Sequence, residues 1–431
     1  MKVFIINSGC NKEEAMIDNF IGKIREQGIE VATSLRESDY VLYVTCAGNG
    51  EKFDVIRKGL SYIHSNMPNI KLIVVGCLVY NFKEASEPYL DAPNVKIIDN
   101  KEWTISAVNY ICDMNKRNTW KEKLYNRTYR LDENGICIEF MLQEGCTNKC
   151  SFCKVHYTEH KLSSVPFELA LSYLTNLVKQ GTKSIQLCGD NLSLYGIDLY
   201  GTKRLHELLH ELSKLDGLEM IRVSELVPGD MYPELIDEII CNPKVFNSSL
   251  QLETASNRLL KLMNRNYTIE EYDYYVRRIR EAGKYVDTVL MSGFPTETME
   301  DMDYTISYLK EQGIVIGKIC EYRDFEGVIP SSRLPQYSKR EKRAHTRYLT
   351  DAKKEINYNT YLTEMPNQDR LLYICDVNGV HLFNNPIPII MTISKSTRFD
   401  DLKPGDVISE APQRLVKSNK NTRRMIYKIG A

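Results

Sequence analysis

Short β-branched runs alternate with amphipathic helical stretches along most of the chain, the pattern of a parallel α/β architecture. The first block predicts strands over Lys2–Asn7, Tyr40–Thr45, Lys71–Gly76 and residues 95–99, with helical segments such as residues 13–27 between them. Such a series builds an open parallel sheet. Periodicity then fades over residues 115–135 into a charged stretch with Lys116, Arg117, Lys121, Glu122, Lys123, Arg127 and Arg130, which reads as a linker. A second series begins at residues 136–142 and repeats near 184–187, 220–223, 248–252, 284–291 and 314–319, each strand followed by a helical pattern. Units of this kind predict a full or partial (βα)6 barrel, in which chemistry belongs at the carboxyl ends of the strands. After a helical run over 338–362, Pro366 marks another change. Short apolar segments around the turn Lys403-Pro404-Gly405-Asp406 then predict a small β module.

The length agrees with this division. At 431 residues, and with about 150 residues per domain, the chain divides into roughly three domains, here residues 1–135, 136–362 and 363–431. One small stapled module is excluded. Lys and Arg number 56 against 57 Asp and Glu, a formal charge of -1, so the whole chain is no general polyanion binder. The longest nearly apolar stretch, residues 72–80, is about half of what a bilayer requires. Lys2 leads into Val3, Phe4, Ile5 and Ile6 and then Asn7, too short an apolar run for a secretory signal. A cytoplasmic protein with no membrane association is expected, and its 12 cysteines then read as free thiols or metal ligands.

Two sets of cysteines are organised. Just after the first strand of the second series, Cys146, Cys150 and Cys153 stand at C-x3-C-x2-C spacing. With so few cysteines in the chain, two more at the required offsets arise by chance roughly once in a hundred. One loop can wrap a 4Fe-4S cluster and give thiolates to three of its irons, leaving the fourth open to a small molecule. Zinc is the rival, but a structural zinc site recruits a fourth Cys or His, and none stands at finger spacing; His156 reads as a surface or channel residue. The second set is Cys10, Cys46 and Cys77, each following a predicted strand of the first block. In a parallel sheet those positions share the carboxyl edge, where binding crevices form, so the three thiols are candidates for a second cluster. Small buried hydrophobes at strand ends are the alternative. Cys112, Cys137, Cys188, Cys241, Cys320 and Cys375 form no set and are expected to serve packing.

The barrel spacing resembles the radical S-adenosylmethionine superfamily. With Ser8-Gly9-Cys10, Val44-Thr45-Cys46, Val75-Gly76-Cys77, Leu187-Cys188-Gly189-Asp190-Asn191, Leu260 to Tyr267 and Ser292-Gly293-Phe294-Pro295-Thr296-Glu297, the chain through about residue 360 resembles the methylthiotransferase family within it. The resemblance implies two 4Fe-4S clusters, with S-adenosylmethionine as both methyl donor and radical source. It also implies an electron donor such as flavodoxin or ferredoxin, and insertion of a methylthio group into an unactivated C–H bond of a macromolecule. By the same resemblance Phe152 lies beside the adenine, and Gly189, Asp190, Glu253, Arg265 and Gly293 line the S-adenosylmethionine pocket. Housing such a radical calls for a dry, closely fitted site.

Some strings depart from the family. Glu253-Thr254-Ala255-Ser256 stands where most relatives carry Gln-Ser-Gly-Ser, and Glu159-His160 replaces an Arg-Gly pair. Residues 366–431 bear only a faint similarity to the RNA-binding TRAM domain that ends the transfer-RNA-modifying members. That tail holds ten Lys and Arg against six Asp and Glu, with Arg414, Lys417, Lys420, Arg423, Arg424 and Lys428 near its end; it offers either an RNA-phosphate strip or a solvated tail. The run Lys339-Arg340-Glu341-Lys342-Arg343 reads as an exposed helix face. His206-Glu207-Leu208-Leu209-His210 matches a zinc motif, but Leu205, Leu208, Leu209 and Leu212 give its helix an apolar face in the outer layer, so it is expected to bind no metal. The departures favour a peptide or protein side chain as substrate, with transfer RNA adenosine as the alternative. A non-catalytic iron-sulfur or zinc protein that binds RNA or a partner is the reading from another class.

Overall fold

Strands buried on both faces carry near-continuous apolar runs; all six residues of Tyr40–Thr45 are buried, and the hydroxyl of Thr45 at its carboxyl end donates to Val75 O at 2.6 Å. The computed structural model describes residues 1–7, 11–45, 58–63, 65–67, 70–76, 78–79, 94–99, 103–114, 128–130, 135–153, 155, 161–324 and 329–364. It also describes six strands between residues 372 and 429. Cys10, Cys46, Cys77, His156, Glu159 and His160 lie outside the described residues. The chain divides into two compact units, residues 1–130 and 131–431.

In the first unit β1 (Lys2–Asn7), β2 (Glu30–Val31), β3 (Tyr40–Thr45), β4 (Lys71–Gly76) and β5 (Val95–Ile97) form a parallel sheet of order β2-β1-β3-β4-β5. Alternate side chains of β3 enter opposite cores, as the pleat requires. Leu42 and Val44 pack with Phe20 and Ile24 of α1 (Asn11–Glu26) and with Trp103 and Val108 of α2 (Trp103–Met114), whereas Val41 and Tyr43 pack with Leu60 and Ile63. The sheet order is that of a doubly wound fold whose chain reverses direction between β1 and β3, where crevices form. Two details differ from expectation: β5 stops at Ile97 rather than residue 99, and Thr128–Arg130, within the stretch read as linker, forms a short strand, β6.

The second unit contains the strands β7 (Cys137–Glu144), β9 (Ser184–Gly189), β10 (Met220–Leu226), β11 (Val245–Leu250), β12 (Tyr285–Ser292) and β13 (Val315–Glu321), with the short β8 (Ser163–Ser164) antiparallel to β7. Between and after them come α3 (Phe167–Lys179), α4 (Leu205–Ser213), α5 (Pro233–Cys241), α6 (Asn257–Leu262), α7 (Ile269–Glu281), α8 (Met299–Gln312) and α9 (Lys339–Glu364). The six long strands pair in parallel in chain order, and β7 does not pair with β13, which makes an open (βα)6 barrel. β11 begins and ends earlier than residues 248–252, and beyond it the backbone turns at Glu253, whose φ is 63°.

The tail forms a separate six-stranded sheet of β14 (Leu372–Asp376), β15 (Gly379–Leu382), β16 (Ile389–Ile393), β17 (Val407–Ser409), β18 (Arg414–Asn419) and β19 (Arg424–Ile429), in the order β17-β14-β15-β16-β19-β18. Its register sets Arg414 opposite Lys428 and Asn419 opposite Arg424. Among the described residues no helix is long and apolar enough to cross a membrane.

Candidate functional site

The cysteine loop leaves the carboxyl end of β7 and is fastened by its backbone. Ser151 N donates to Met263 O at 2.8 Å, its Oγ donates to Leu262 O at 2.8 Å, and Ser331 N and Oγ donate to Ser151 O at 3.1 and 2.7 Å. Asn264 Nδ2 reaches Lys149 O at 2.7 Å. A loop tied this way presents its side chains in one arrangement before any ligand arrives.

Each thiol has a donor aimed at it. Cys146 Sγ accepts from Asn148 N at 3.4 Å and from Asn191 Nδ2 at 3.7 Å, Cys150 Sγ from Arg265 Nη1 at 3.3 Å, and Cys153 Sγ from Val155 N at 3.4 Å. Burial raises the Cys146 thiol and pushes Cys153 up to about 12; these donors oppose the shift, and the neighbouring thiols reinforce it. Raised in this way, the Cys146 and Cys153 thiols favour their protonated forms, and any metal they ligate would displace those protons. Among the described residues no three His, Cys, Asp or Glu side chains converge as a single ion requires. A 4Fe-4S cluster takes one thiolate at each of three separate corners, a donor set that three cysteines on one loop can supply.

Around the loop stand the other candidates. Arg265 is enclosed between Cys150, Tyr267 (Nε to Oη, 3.1 Å) and Glu253 (Nη1 to Oε1, 4.0 Å), while its Nη2 is buried without a partner. Glu253 is itself buried, and burial raises its carboxyl despite the opposing charges of Arg265 and Lys318. Gly189 ends β9 where a Cβ would stand 2.8 Å from Gln143 O, so only glycine fits. Asp190 accepts from Gly145 N at 2.7 Å and so ties the start of the cysteine loop to the β9 end. Phe152 packs with Met263, Met291, Phe294 and Tyr322 in an apolar patch. Gly293 takes a φ of 71° and donates its N–H to Glu297 Oε2 at 2.6 Å, and Glu297 in turn faces His345 Nδ1 at 2.8 Å.

Below this rim the barrel interior is polar. Glu139, Gln186, Arg222 and Asp287 form a chain across β7, β9, β10 and β12, with Arg222 Nη2 to Asp287 Oδ2 at 2.8 Å. Glu225, at φ 56°, accepts from Gln251 Nε2 at 2.7 Å. Glu225 retains some exposed area, yet desolvation pushes its carboxyl up to about 7, with Lys318 opposing and Asp287 and Asp190 adding to the shift.

Several neighbours have no signal in sequence spacing. Asn148, Asn191, Asp230 and Asn266 meet only in the folded chain, as Ser331 meets Ser151; Asn191 and Asn266 stand in strings quoted above, Asp230 and Ser331 in none. The expectation that the six remaining cysteines all serve packing holds for Cys112, Cys137 and Cys188, which are buried. It fails for Cys241, exposed where α5 runs out to the surface, and for Cys320, which keeps solvent contact on β13. The Cys375 side chain lies outside the described residues. In the zinc-like motif the four leucines are fully buried, Arg204 clamps Glu207 at 2.6 Å, His206 meets Tyr232 Oη at 3.1 Å and His210 lies 3.5 Å from Glu238, so the two imidazoles have separate partners.

Comparison with known proteins gives this arrangement a family. A model of the radical SAM superfamily matches residues 140–309, and a model described as uncharacterized protein family UPF0004 matches residues 2–94. Ribosomal protein uS12 methylthiotransferase RimO of Carboxydothermus hydrogenoformans is 27% identical over 96% of this chain and 91% of its own. The tRNA-2-methylthio-N(6)-dimethylallyladenosine synthase of Thermotoga petrophila is 30% identical over 83% of this chain and 82% of its own. Among solved structures, the radical S-adenosylmethionine methyltransferase TsrM from Kitasatospora setae superposes with a TM-score of 0.54 at 14% identity, over 77% of this chain and 75% of that one, a likeness of fold. Similarity of this extent to enzymes that perform one type of transfer, joined to a matching barrel and cysteine loop, means that the chain belongs to the radical S-adenosylmethionine methylthiotransferase family.

Proposed function

We propose that Cys146, Cys150 and Cys153 hold the radical-generating cluster, that Cys10, Cys46 and Cys77 hold the auxiliary cluster, and that the substrate is a peptide or protein side chain. The family uses S-adenosylmethionine with two 4Fe-4S clusters, which supply hydrogen abstraction and a methylated sulfur. The observation that carries the reading is the docked cysteine loop, with Arg265 and Asn191 donating to two of its three thiols. In this reading Arg265, fully enclosed and positively charged, compensates the charge of a ligated Cys150. Gly189 and Gly293 bring backbone close to the cofactor, Asp190 fixes the loop, Glu253 offers an acceptor, and Phe152 with Met291 and Phe294 keeps water from the reacting carbon.

Two observations support a peptide. The relative that acts on ribosomal protein uS12 matches over nearly the whole chain, and the Glu253 string departs from the RNA-modifying pattern. Anaerobic reconstitution should give about eight irons per chain and release of 5'-deoxyadenosine on reduction. Mass spectrometry after reaction with candidate peptides and RNA then decides the substrate: a methylthio gain on peptide is expected, and the same gain on RNA alone overturns the peptide assignment. A gain lacking sulfur overturns methylthiolation for this chain.

A further inference from the structure

Asp230, in the turn after β10, carries no motif, yet three loops meet on its carboxylate. Asn148 Nδ2 of the cysteine loop donates to Oδ2 at 2.6 Å, Asn191 Nδ2 from the β9 end donates to Oδ2 at 2.7 Å, and Asn266 Nδ2 from the segment after α6 donates to Oδ1 at 3.1 Å. Lys203 Nζ reaches the backbone oxygen of the same residue at 2.6 Å. The approach depends on Gly229, where a Cβ would lie 2.3 Å from Asn266 O.

An ionised carboxylate only accepts hydrogen bonds, so each of these amides must turn its NH2 end toward it. For Asn191 this choice has a consequence. With Nδ2 shared between Asp230 and Cys146, its Oδ1 points the other way and is buried with no partner, in a residue with no exposed surface. A buried acceptor left unmade costs stability until a ligand supplies the donor. The site is thus one donor short beside the first thiol of the cysteine loop.

We propose that Asp230 is a positioning residue for S-adenosylmethionine: it locks the Asn191 amide so that the N–H faces Cys146 and the oxygen is presented to a hydrogen-bond donor of the cofactor. The inference rests on the assignment of the barrel trio as cluster ligands, and it adds a residue that touches neither metal nor substrate. Asp230→Asn keeps the size of the side chain but removes one acceptor oxygen, which frees the Asn191 amide to rotate.

The test uses the full-length reconstituted protein. In Asp230→Asn the iron content and the electron paramagnetic resonance spectrum of the reduced cluster should match the parent. The spectral change caused by S-adenosylmethionine should then need about tenfold more cofactor, the loss of one well-placed hydrogen bond. The KM for S-adenosylmethionine should rise with it and kcat much less. Asn191→Ala should show the same loss, and combining the two substitutions should add nothing further, since one acts through the other. Parent-like cofactor dependence in Asp230→Asn, additive losses in the double variant, or loss of iron from Asp230→Asn would each overturn the proposal. Failure of the cluster assignment is distinct: the parent itself would then show no cofactor-induced spectral change that depends on Cys146, Cys150 and Cys153.

Discussion

The two cysteine trios are set in the chain by opposite means. In the barrel a single short loop carries all three thiols, and the fold's task is to hold that loop, which it does through Ser151, Asn264 and Ser331. In the first unit the proposed ligands follow three different strands in sequence, so a shared site there would depend on strand order. β1, β3 and β4 are adjacent, and the register pairs Asn7 with Val44 and Thr45 with Gly76, so the chain leaves the sheet at one level before residues 8, 46 and 77. Gly76 makes the last step feasible. Its φ is 102°, and a Cβ would stand 2.3 Å from Thr45 O, a backbone atom that cannot swing away. A motif held by local spacing tolerates changes in distant packing better than one assembled by a sheet.

Three experiments press on that contrast. The largest effect is expected from single alanines in the trios: Cys153→Ala should abolish 5'-deoxyadenosine formation, whereas Cys77→Ala should leave it in place and lower iron from about eight to about four per chain, measured by iron assay and chromatography. If Cys77→Ala also stops deoxyadenosine formation, the trios do not have separate roles. Next comes Gly76→Ala, where the backbone clash should cost about 2–4 kcal/mol in denaturant unfolding and halve the iron while sparing the barrel's activity. Retention of full iron and parent stability would show that the β4 end does not organise the first unit's site. The smallest effect is a pH dependence. Glu225 has a folded-state carboxyl raised from 4.5 to about 7, so the protein loses stability as pH rises through that window, while the unfolded chain has already given up its proton. Glu225→Gln should therefore gain melting temperature over the parent at pH 8 relative to pH 5, with Lys318, Arg222, Asp287 and Asp190 as the charges around it. An equal difference at both pH values would mean that the carboxyl titrates normally.

Legibility followed the range of the interactions. β1, β3 and β4 are plain in the sequence because buried parallel strands need continuous apolar runs, and the cysteine loop is plain because its ligands are near neighbours in the chain. β11 is offset from its predicted span because Asn247, Ser248 and Ser249 break the apolar run. Asp230 was invisible for another reason: its amide partners are 82, 39 and 36 residues away, and amides carry no periodicity. The exposure of Cys241 likewise depends on where α5 ends against its neighbours, which its own sequence does not state.

Glu225 and Glu253 each hold a left-handed backbone conformation without being glycine, both at the carboxyl ends of barrel strands. Selection for heat resistance alone would drift toward glycine at these two places, relaxing the main chain and discarding a carboxylate each time. A thermostabilised library of this chain, sequenced before and after a screen for turnover, should show the two positions pulled in contrary directions.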